Sequence, residues 1–554
     1  MEKYALGLDF GTLSVRALLV EIFTGREVAV SAFDYPHSVM DKALPNGKEL
    51  PDDWALQHPE DYLEGLVYVV RDILKTSGVS ADKIVGIGVD FTACTMIATN
   101  SAGVPLCLLS EYKAEPHAYA KLWKHHAAQK EATLINAIAD KRSEAFLARY
   151  GGKVSSEWLI PKIWQVLNEA PEIYEAAKYF IEAGDWLVWQ LTGRQTRNAC
   201  AAGYKGMWHK KSGYPSKEFF RELDPRLENI VSEKLNCPVY PLGSKAGEVT
   251  QKICELTGLS PHTAVAVANV DAHVTVPACK ITAPGQMLAI IGTSTCHMMA
   301  DVKELNVGGI SGVVEDGILP GYFGYEAGQA CVGDHFAWFV NNCCPGEYSL
   351  LAKERGISLH QLLSEKAALL YPGESGLVAL DWYNGNRSVL VDAELSGMLL
   401  GMTLATKPEE LYRALLEATA YGTRKILDTF RDSGIPVNEL TASGGIPQKN
   451  AFAMQVYADV LKIPIRIGGS AQAAALGSAI FGAVAAGKEG GGHAGIFEAA
   501  QAMGKLDAKV YLPDEKRSLV YDALYAEYEM LHDYFGRGEN DVMKRLKAIR
   551  RTAR

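Results

Sequence analysis

"ALGLDFGTLSVRALLVEI", residues 5–22, is an apolar run with an aspartate inside it. Asp9 stands between Leu8 and Phe10, where an unpaired carboxylate is costly to bury. Gly11-Thr12 follow at once, and Val15-Arg16-Ala17-Leu18-Leu19-Val20 is rich enough in branched residues to return as an antiparallel strand. Asp9-Phe10-Gly11-Thr12 then forms the turn of a hairpin, where backbone N–H groups and a hydroxyl gather beside a carboxylate. Two readings stand side by side. The turn is an ordinary one, or it grips a phosphate while the carboxylate holds the metal ion that accompanies it.

The same grammar returns at mid-chain. "GQMLAIIGTSTCHMMAD", 285–301, reads as strand, Gly292-Thr293-Ser294-Thr295, strand. A repeated hairpin implies two similar domains, each offering one phosphate-binding turn to a shared cleft. A third glycine turn lies in "LTASGGIPQKNAFAMQVYADVL", 440–461: a short strand, Ser443-Gly444-Gly445, then a helix with Pro447 just inside its start. Its glycines let a flat ring lie against the backbone, and a helix N-terminus suits a phosphate. Alone, it serves equally well as a close strand–helix packing turn.

The chain of 554 residues is too long for one core, and 48% hydrophobic with 22% charged residues is the balance of a globular protein. Strand-like runs alternate with amphipathic helical stretches, the pattern of an α/β protein. A helix is expected over 59–76, one buried strand over 83–100, and an aromatic-rich helix over 184–193 ended by Gly193; 264–279 reads as a strand leading into a helix. "GGGHAG", 490–495, reads as a flexible surface loop, and His125 and His126 as helix surface. No apolar run reaches the ~20 residues that span a bilayer. Glu2 and Lys3 lead straight into strand, so no signal peptide is expected. Ten cysteines lack ligand-like spacing, which points to a reducing cytoplasm. A net charge of −10 gives no global attraction to nucleic acid or anionic membrane. The exception is "MKRLKAIRRTAR", 543–554, read as a solvated helix end. An acidic protein with a polyanionic substrate must supply positive charge locally.

Taken together, "GLDFGTLSVRALL", "NVDAHV" (269–274), "IIGTST" (290–295) and "SGGIPQKNAFAMQVYADVL" resemble, in order and spacing, the FGGY carbohydrate kinases. The resemblance runs from residue 4 to about 485 and includes "LYRALLEATAYGTRKIL", 411–427, and "ALGSAIFGAVAAG", 475–487. It implies an α/β fold of two actin-like, hexokinase-like (ribonuclease H-like) ATPase domains flanking a catalytic cleft. Residues 1–280 would carry the sugar site, the first phosphate turn and the catalytic base, and 281–554 the nucleotide site. Within the family, "VDFTACT" (89–95), "GYKGMW" (203–208), "YEAGQACVGDHFAWFV" (325–340) and "LDWYNGNRSVLVD" (380–392) are similar to the branch that phosphorylates ribulose. The implied reaction is ATP-dependent phosphorylation of a 2-ketopentose, L-ribulose to L-ribulose 5-phosphate in L-arabinose catabolism, with Mg2+. Other readings are a kinase of D-ribulose, a broader pentulose or pentitol kinase, and, more remotely, an actin-like or Hsp70-like ATPase acting on a protein partner.

The resemblance also assigns roles. Asp271 matches the base that takes the acceptor hydroxyl's proton, although the same residue would serve as a helix N-cap. Asp9, with Asp271, would hold the metal. Gly11 and Thr12 would contact the transferring phosphate by N–H and hydroxyl. Arg16 would steady phosphate or substrate, or form a salt bridge from an edge strand. Gly292 and Thr293 would hold phosphates from the other domain, and Gly444, Gly445 and Asn450 would line the adenine and ribose pocket. For the sugar, Asp90, Ala93, Lys205, Asp271 and Glu326 combine acceptors for hydroxyls, a donor, and a small residue that leaves room. Lys205 reads alternatively as a snorkelling surface lysine, and Glu326 as a buried structural carboxylate. Trp123 and Lys124 would extend the sugar's wall. A homodimer is expected, with lobes that close on the sugar and exclude water.

Overall fold

The computed structural model describes residues 2–553. Its opening hairpin is β1 (Tyr4–Phe10) and β2 (Ser14–Glu21), antiparallel, with Asp9 opposite Arg16. The Gly11 N–H closes the turn by donating to the Ser14 carbonyl at 3.0 Å. β3 (Glu27–Asp34) extends the antiparallel run. α1 (Pro59–Ser77) opens on a proline and ends at Gly78, whose φ of 65° is the left-handed cap that glycine adopts without strain. β4 (Ile84–Phe91) then lies parallel to β1. After α2 (Ala199–Lys205), β5 (Lys245–Glu248), β6 (Ala264–Ala266) and β7 (Asn269–Val270), α3 (Asp271–Ala278) closes the first half. The sheet runs β5-β6-β4-β1-β2-β3, with β7 beside the end of β4.

The second half repeats the scheme. β8 (Gln286–Ile291) and β9 (Thr295–Asp301) form the mid-chain hairpin, followed by β10 (Gly312–Glu315) and β11 (Phe323–Gln329). α4 (Pro408–Asp432), β12 (Glu439–Ser443), α5 (Ala451–Leu461), β13 (Ile465–Gly468), α6 (Ala473–Ala486), β14 (Leu506–Tyr511) and α7 (Val542–Thr552) complete it. The order is β10-β11-β9-β8-β12-β13-β14. In each sheet a hairpin and a third antiparallel strand give way to a parallel one, β4 beside β1 and β12 beside β8. The repeat read in the two Gly-Thr turns is a repeat of topology.

One helix does not stay with its own half. α6 lies across β1 and β4, and the approach is possible only because glycines face it. A Cβ at Gly7 would stand 1.7 Å from the Ala475 carbonyl oxygen, at Gly86 2.0 Å from that of Gly482, and at Gly88 1.8 Å from that of Ser478.

The helix ended by Gly193 forms over Ala183–Thr192, and the strand expected at the start of 264–279 is two short ones, β6 and β7, both beside β4, before the expected helix. The strand expected over 83–100 is two strands. β4 stops at Phe91, the chain breaks at Thr92–Thr95 with Cys94 at φ 60°, and Met96–Thr99 joins a different, small sheet. "GGGHAG" is no free loop, because His493 is buried and its Nε2 lies 2.8 Å from the Ile22 carbonyl oxygen. Nor is the basic tail merely solvated. α7 docks on residues 392–395, with Lys544 on Asp392 (2.8 Å), Arg551 on Glu394 (2.7 Å), and Lys547 donating to the carbonyls of Ala393 and Leu395. Among the described residues no helix is long and apolar enough to cross a membrane.

The glycine contact makes a direct prediction. Gly88→Val forces branched carbons into the α6 backbone and should lower stability by roughly 3 kcal/mol or more in denaturant unfolding. Gly346→Ala, where a Cβ meets nothing within 4 Å, should be close to neutral in the same measurement.

Candidate active site

Three carboxylates converge where the parallel strands of the first sheet end. Asp9 and Asp90 are neighbours in register on β1 and β4, and Asn269 beside Asp90 leads β7 into α3. Ligands of open α/β sheets bind at such carboxyl ends. Asp271 is the first residue of α3 and Val270 the capping residue, so the alternative of an N-cap aspartate does not hold. Its Oδ1 accepts the Ala272 N–H at 2.7 Å, and the positive end of the helix favours it there. Burial pushes the Asp271 carboxyl up to about 7, and Asp9 pushes in the same direction. Burial raises the Asp9 carboxyl above its usual range, and the charge of Arg16 opposes the rise. Asp90 is raised well above the usual carboxylate range by burial and by Asp9.

Lys205 and Glu326 face each other from α2 and β11, with Nζ 3.2 Å from both carboxylate oxygens. His273 of α3 places Nε2 3.2 Å from the same group. Burial would raise Glu326, but Lys205 and then His273 outweigh it and hold the carboxyl well below its usual range. Burial would lower Lys205, and Glu326 outweighs that too. The lysine is therefore a buried, paired cation and no surface snorkeler. The pair ties the two halves together beside Asp271.

The turns are partly spent on themselves. Gly11 donates to Ser14, and Gly292 donates to the Ser294 carbonyl at 2.9 Å. The N–H expected from Gly11 thus closes the turn, and the Thr12 N–H and hydroxyl hydrogen remain for a ligand. Thr12 is itself held, its carbonyl accepting from Gln57 Nε2 at 2.7 Å and its Oγ1 from Trp123 Nε1 at 3.1 Å. The carbonyls of Gly292 and Thr293 accept the N–H groups of Gly333 and Val332, leaving the Thr293 side chain exposed. Gly444, at φ 103°, abuts the Ile291 carbonyl where a Cβ would come within 2.6 Å, whereas Gly445 opens on free space. Asn450 commits its amide to the fold, capping α5 through the Ala453 N–H and donating to Ser364 Oγ. Arg16 is exposed on β2 with no ion pair among the described residues.

Asp90 differs from expectation. It has no exposed surface, and its Oδ2 takes the Ser478 hydroxyl of α6 at 2.6 Å, so it is enclosed beside Asp9 beneath that helix. The face of β4 that carries Gly86, Gly88 and Asp90 is the one α6 covers. His125 is also buried, bonded to Gln165 at 2.8 Å, and although His126 is exposed, both stand in a loop and not on the helix surface expected for them. Sequence reasoning missed Lys162. Fully buried, its Nζ donates to the carbonyls of Cys94 (2.6 Å), Leu122 (2.8 Å) and Lys121 (3.3 Å). It thereby joins the loop bearing Ala93 to the segment bearing Trp123. A lysine on an amphipathic helix gives no sign of this in sequence.

Among the described residues, one trio of metal-ligand type, His37, His58 and Asp61, lies within ligand distance. His37 Nδ1 is already 2.6 Å from Asp61 Oδ1, and the two imidazoles stack at 17°. Stacked rings cannot both aim their nitrogens at one ion without turning, so the trio is a hydrogen-bonded pair with a stacked neighbour.

Two measurements follow. Asp271 binds its proton more tightly folded (about 7) than unfolded (about 3.9). The stability tied to that proton is whole below about pH 4 and lost as pH rises through about 7. Asp271→Asn should therefore raise the melting temperature at pH 8, with the gain shrinking to nothing near pH 4. Lys205→Met strands Glu326 and should cost about 3–5 kcal/mol, while Lys205→Met with Glu326→Leu should recover most of it in chemical denaturation.

The N-terminal domain of the FGGY family of carbohydrate kinases matches residues 4–276, and the C-terminal domain matches 287–486. The chain is 56% identical over 554 residues to a protein named Ribulokinase from Geobacillus thermodenitrificans, covering all of this chain and 98% of that one. It is 58% identical over 539 residues to one of the same name from Bacillus licheniformis, covering 97% and 98%, and 49% identical to one from Mycolicibacterium smegmatis, covering 100% and 97%. In fold it is similar to a xylulose kinase from Rhodospirillum rubrum (TM-score 0.78, 24% identity, 96% and 98% covered) and to a Plasmodium falciparum glycerol kinase with ADP (TM-score 0.74, 16% identity, 96% and 98% covered).

Proposed function

The chain belongs to the FGGY family of carbohydrate kinases, and from that premise we propose that it transfers the γ-phosphoryl group of ATP to L-ribulose, giving L-ribulose 5-phosphate. The observation that carries the substrate is the identity of 56% across the whole chain with a protein named Ribulokinase, with no lobe left out.

Asp271 takes the proton of the acceptor hydroxyl as its oxygen bonds to the γ-phosphorus. The bond from that phosphorus to the bridging oxygen breaks, and its electron pair leaves on ADP. A carboxyl that titrates near neutrality suits that proton transfer. Glu326, pinned by Lys205, accepts from sugar hydroxyls, and the remaining Lys205 N–H donates to the carbonyl or a hydroxyl. Ala93 leaves room beside them, Trp123 flanks the sugar, and Asp90 supports the cluster from behind. The Thr12 N–H and hydroxyl, the Thr293 turn and the Gly444-Gly445 turn receive the nucleotide, with Gly11, Gly292 and Asn450 holding those turns in shape and Arg16 at the rim.

Asp9 and Asp271 offer carboxylate oxygens only, the donor set of a hard divalent cation, and Asp90 Oδ1 is buried without a partner. Burial raises the proton affinity of all three, and Asp9 raises it further at Asp90 and Asp271; a cation relieves that crowding, so the residues fit Mg2+, which when bound neutralises phosphate charge. The reading extends to a cytoplasmic homodimer in L-arabinose catabolism, partnered by neither nucleic acid nor membrane. Net charge −10 and thiols free of disulfides support it. Light scattering tests the dimer.

A panel of the four 2-ketopentoses, xylitol, ribitol and glycerol should give its highest kcat/KM with L-ribulose; a preference for D-ribulose would transfer the assignment to that epimer. Asp271→Asn should lower kcat by ~10²–10⁴ with folding intact. In the wild type, kcat/KM should fall below about pH 7 as Asp271 of the free enzyme protonates, a limb absent from the residual activity of the variant.

A further inference from the structure

The charge balance of the cleft points to an arginine outside the set above. Cys296 on β9 pairs with Gly328 on β11, and Met298 pairs with Glu326. Side chains alternate along a strand, so Cys296, Gly328 and Glu326 share one face of the sheet. The contact of Glu326 with Lys205 marks that face as the one turned to the first half. Cys296 lies two residues beyond the Gly292–Ser294 turn, and Glu326 lies one side-chain step beyond Gly328. The ground over Cys296 and Gly328 is therefore the ground between the second phosphate turn and the sugar's carboxylate.

Arg387 occupies it. A Cβ on Gly328 would stand 3.1 Å from Arg387 Cδ and 3.4 Å from its Nη1, so the missing side chain is what makes room for the guanidinium. The neighbouring Ser388 anchors the approach, its Oγ accepting the Gly328 N–H at 3.2 Å. Among the described residues it makes no ion pair; the Cys296 thiol lies beside it, and Glu157 and Glu326 act from farther away. Lys205 is spent on Glu326 and Arg16 stands out on β2. Arg387 is thus an uncommitted cation, open to solvent, among Glu326, Asp271 and the second turn.

We propose that Arg387 is a catalytic residue, its guanidinium holding the oxygens of the phosphoryl group as that group passes from nucleotide to sugar. The planar fork suits a phosphoryl group, and a fixed cation placed where charge shifts stabilises the transition state more than the ground state. Arg387 forms and breaks no covalent bond; the proton still goes to Asp271 and the leaving electron pair to ADP. The proposal rests on the kinase reading above.

Arg387→Ala and Arg387→Lys are assayed with MgATP and L-ribulose, alongside circular dichroism and melting curves. Expected are a kcat lower by about 10²-fold or more for alanine, an intermediate loss for lysine, and partial rescue of the alanine variant, not the wild type, by added guanidinium. Calorimetry should show binding of L-ribulose 5-phosphate weakened at least tenfold in Arg387→Ala while L-ribulose binding is kept. A kcat within threefold of wild type in a folded alanine variant, or in the lysine variant if alanine does not fold, overturns the proposal. If the wild type does not phosphorylate L-ribulose, the substrate reading fails by itself. The same variants are then read on whichever sugar of the panel is turned over, with the same threefold criterion.

Discussion

Four carboxylates, Asp9, Asp90, Asp271 and Glu326, are crowded at one point between two sheets, and most of the local structure answers that crowding. Only Glu326 has a contacting cation, Lys205. The others are accommodated by different means: a helix N-terminus and a raised proton affinity for Asp271, a serine hydroxyl from α6 for Asp90, and a position at the mouth of the hairpin turn for Asp9. A site built this way favours a ligand that arrives with its own cation. It is also unstable in proportion to its usefulness, since the group best placed to accept a proton is the one whose charge the fold resists.

The fold was largely legible because its two decisive signals are local. A Gly-Thr turn between branched runs specifies a hairpin wherever it occurs, and its recurrence at Gly292-Thr293 could be matched without knowing what packs on it. The break at Thr92–Thr95 was not legible. Phe91 through Met96 is as apolar as a strand interior, and what bends it is Lys162, 68 residues away from Cys94, reaching in to bind a carbonyl. The burial of His493 and the docking of α7 were hidden for the same reason: composition reports the polarity of a segment, while distant partners decide its exposure.

The site was legible in outline and not in detail. Lys205, Asp271 and Glu326 are drawn together as the resemblance implied, from three elements far apart in the chain. The division of labour among the other groups depended on facts with no sequence signature. Gly11 and Gly292 consume their own N–H groups, Gln57 holds the Thr12 carbonyl from 45 residues away, and Asp90 faces inward because α6 covers its side of the sheet. A parallel strand buried on both faces offers no alternation from which that direction could be read.

The position of α6 has a consequence for the birth of the protein. β1 and β4 leave the ribosome early, yet the helix that roofs them spans residues 473–486. Through most of translation the nascent first sheet carries a bare, glycine-flattened surface that nothing yet synthesised fills. Its completion waits on the far end of the message, so the interval between making the sheet and covering it, set by elongation speed, is the period when misassembly between growing chains is easiest.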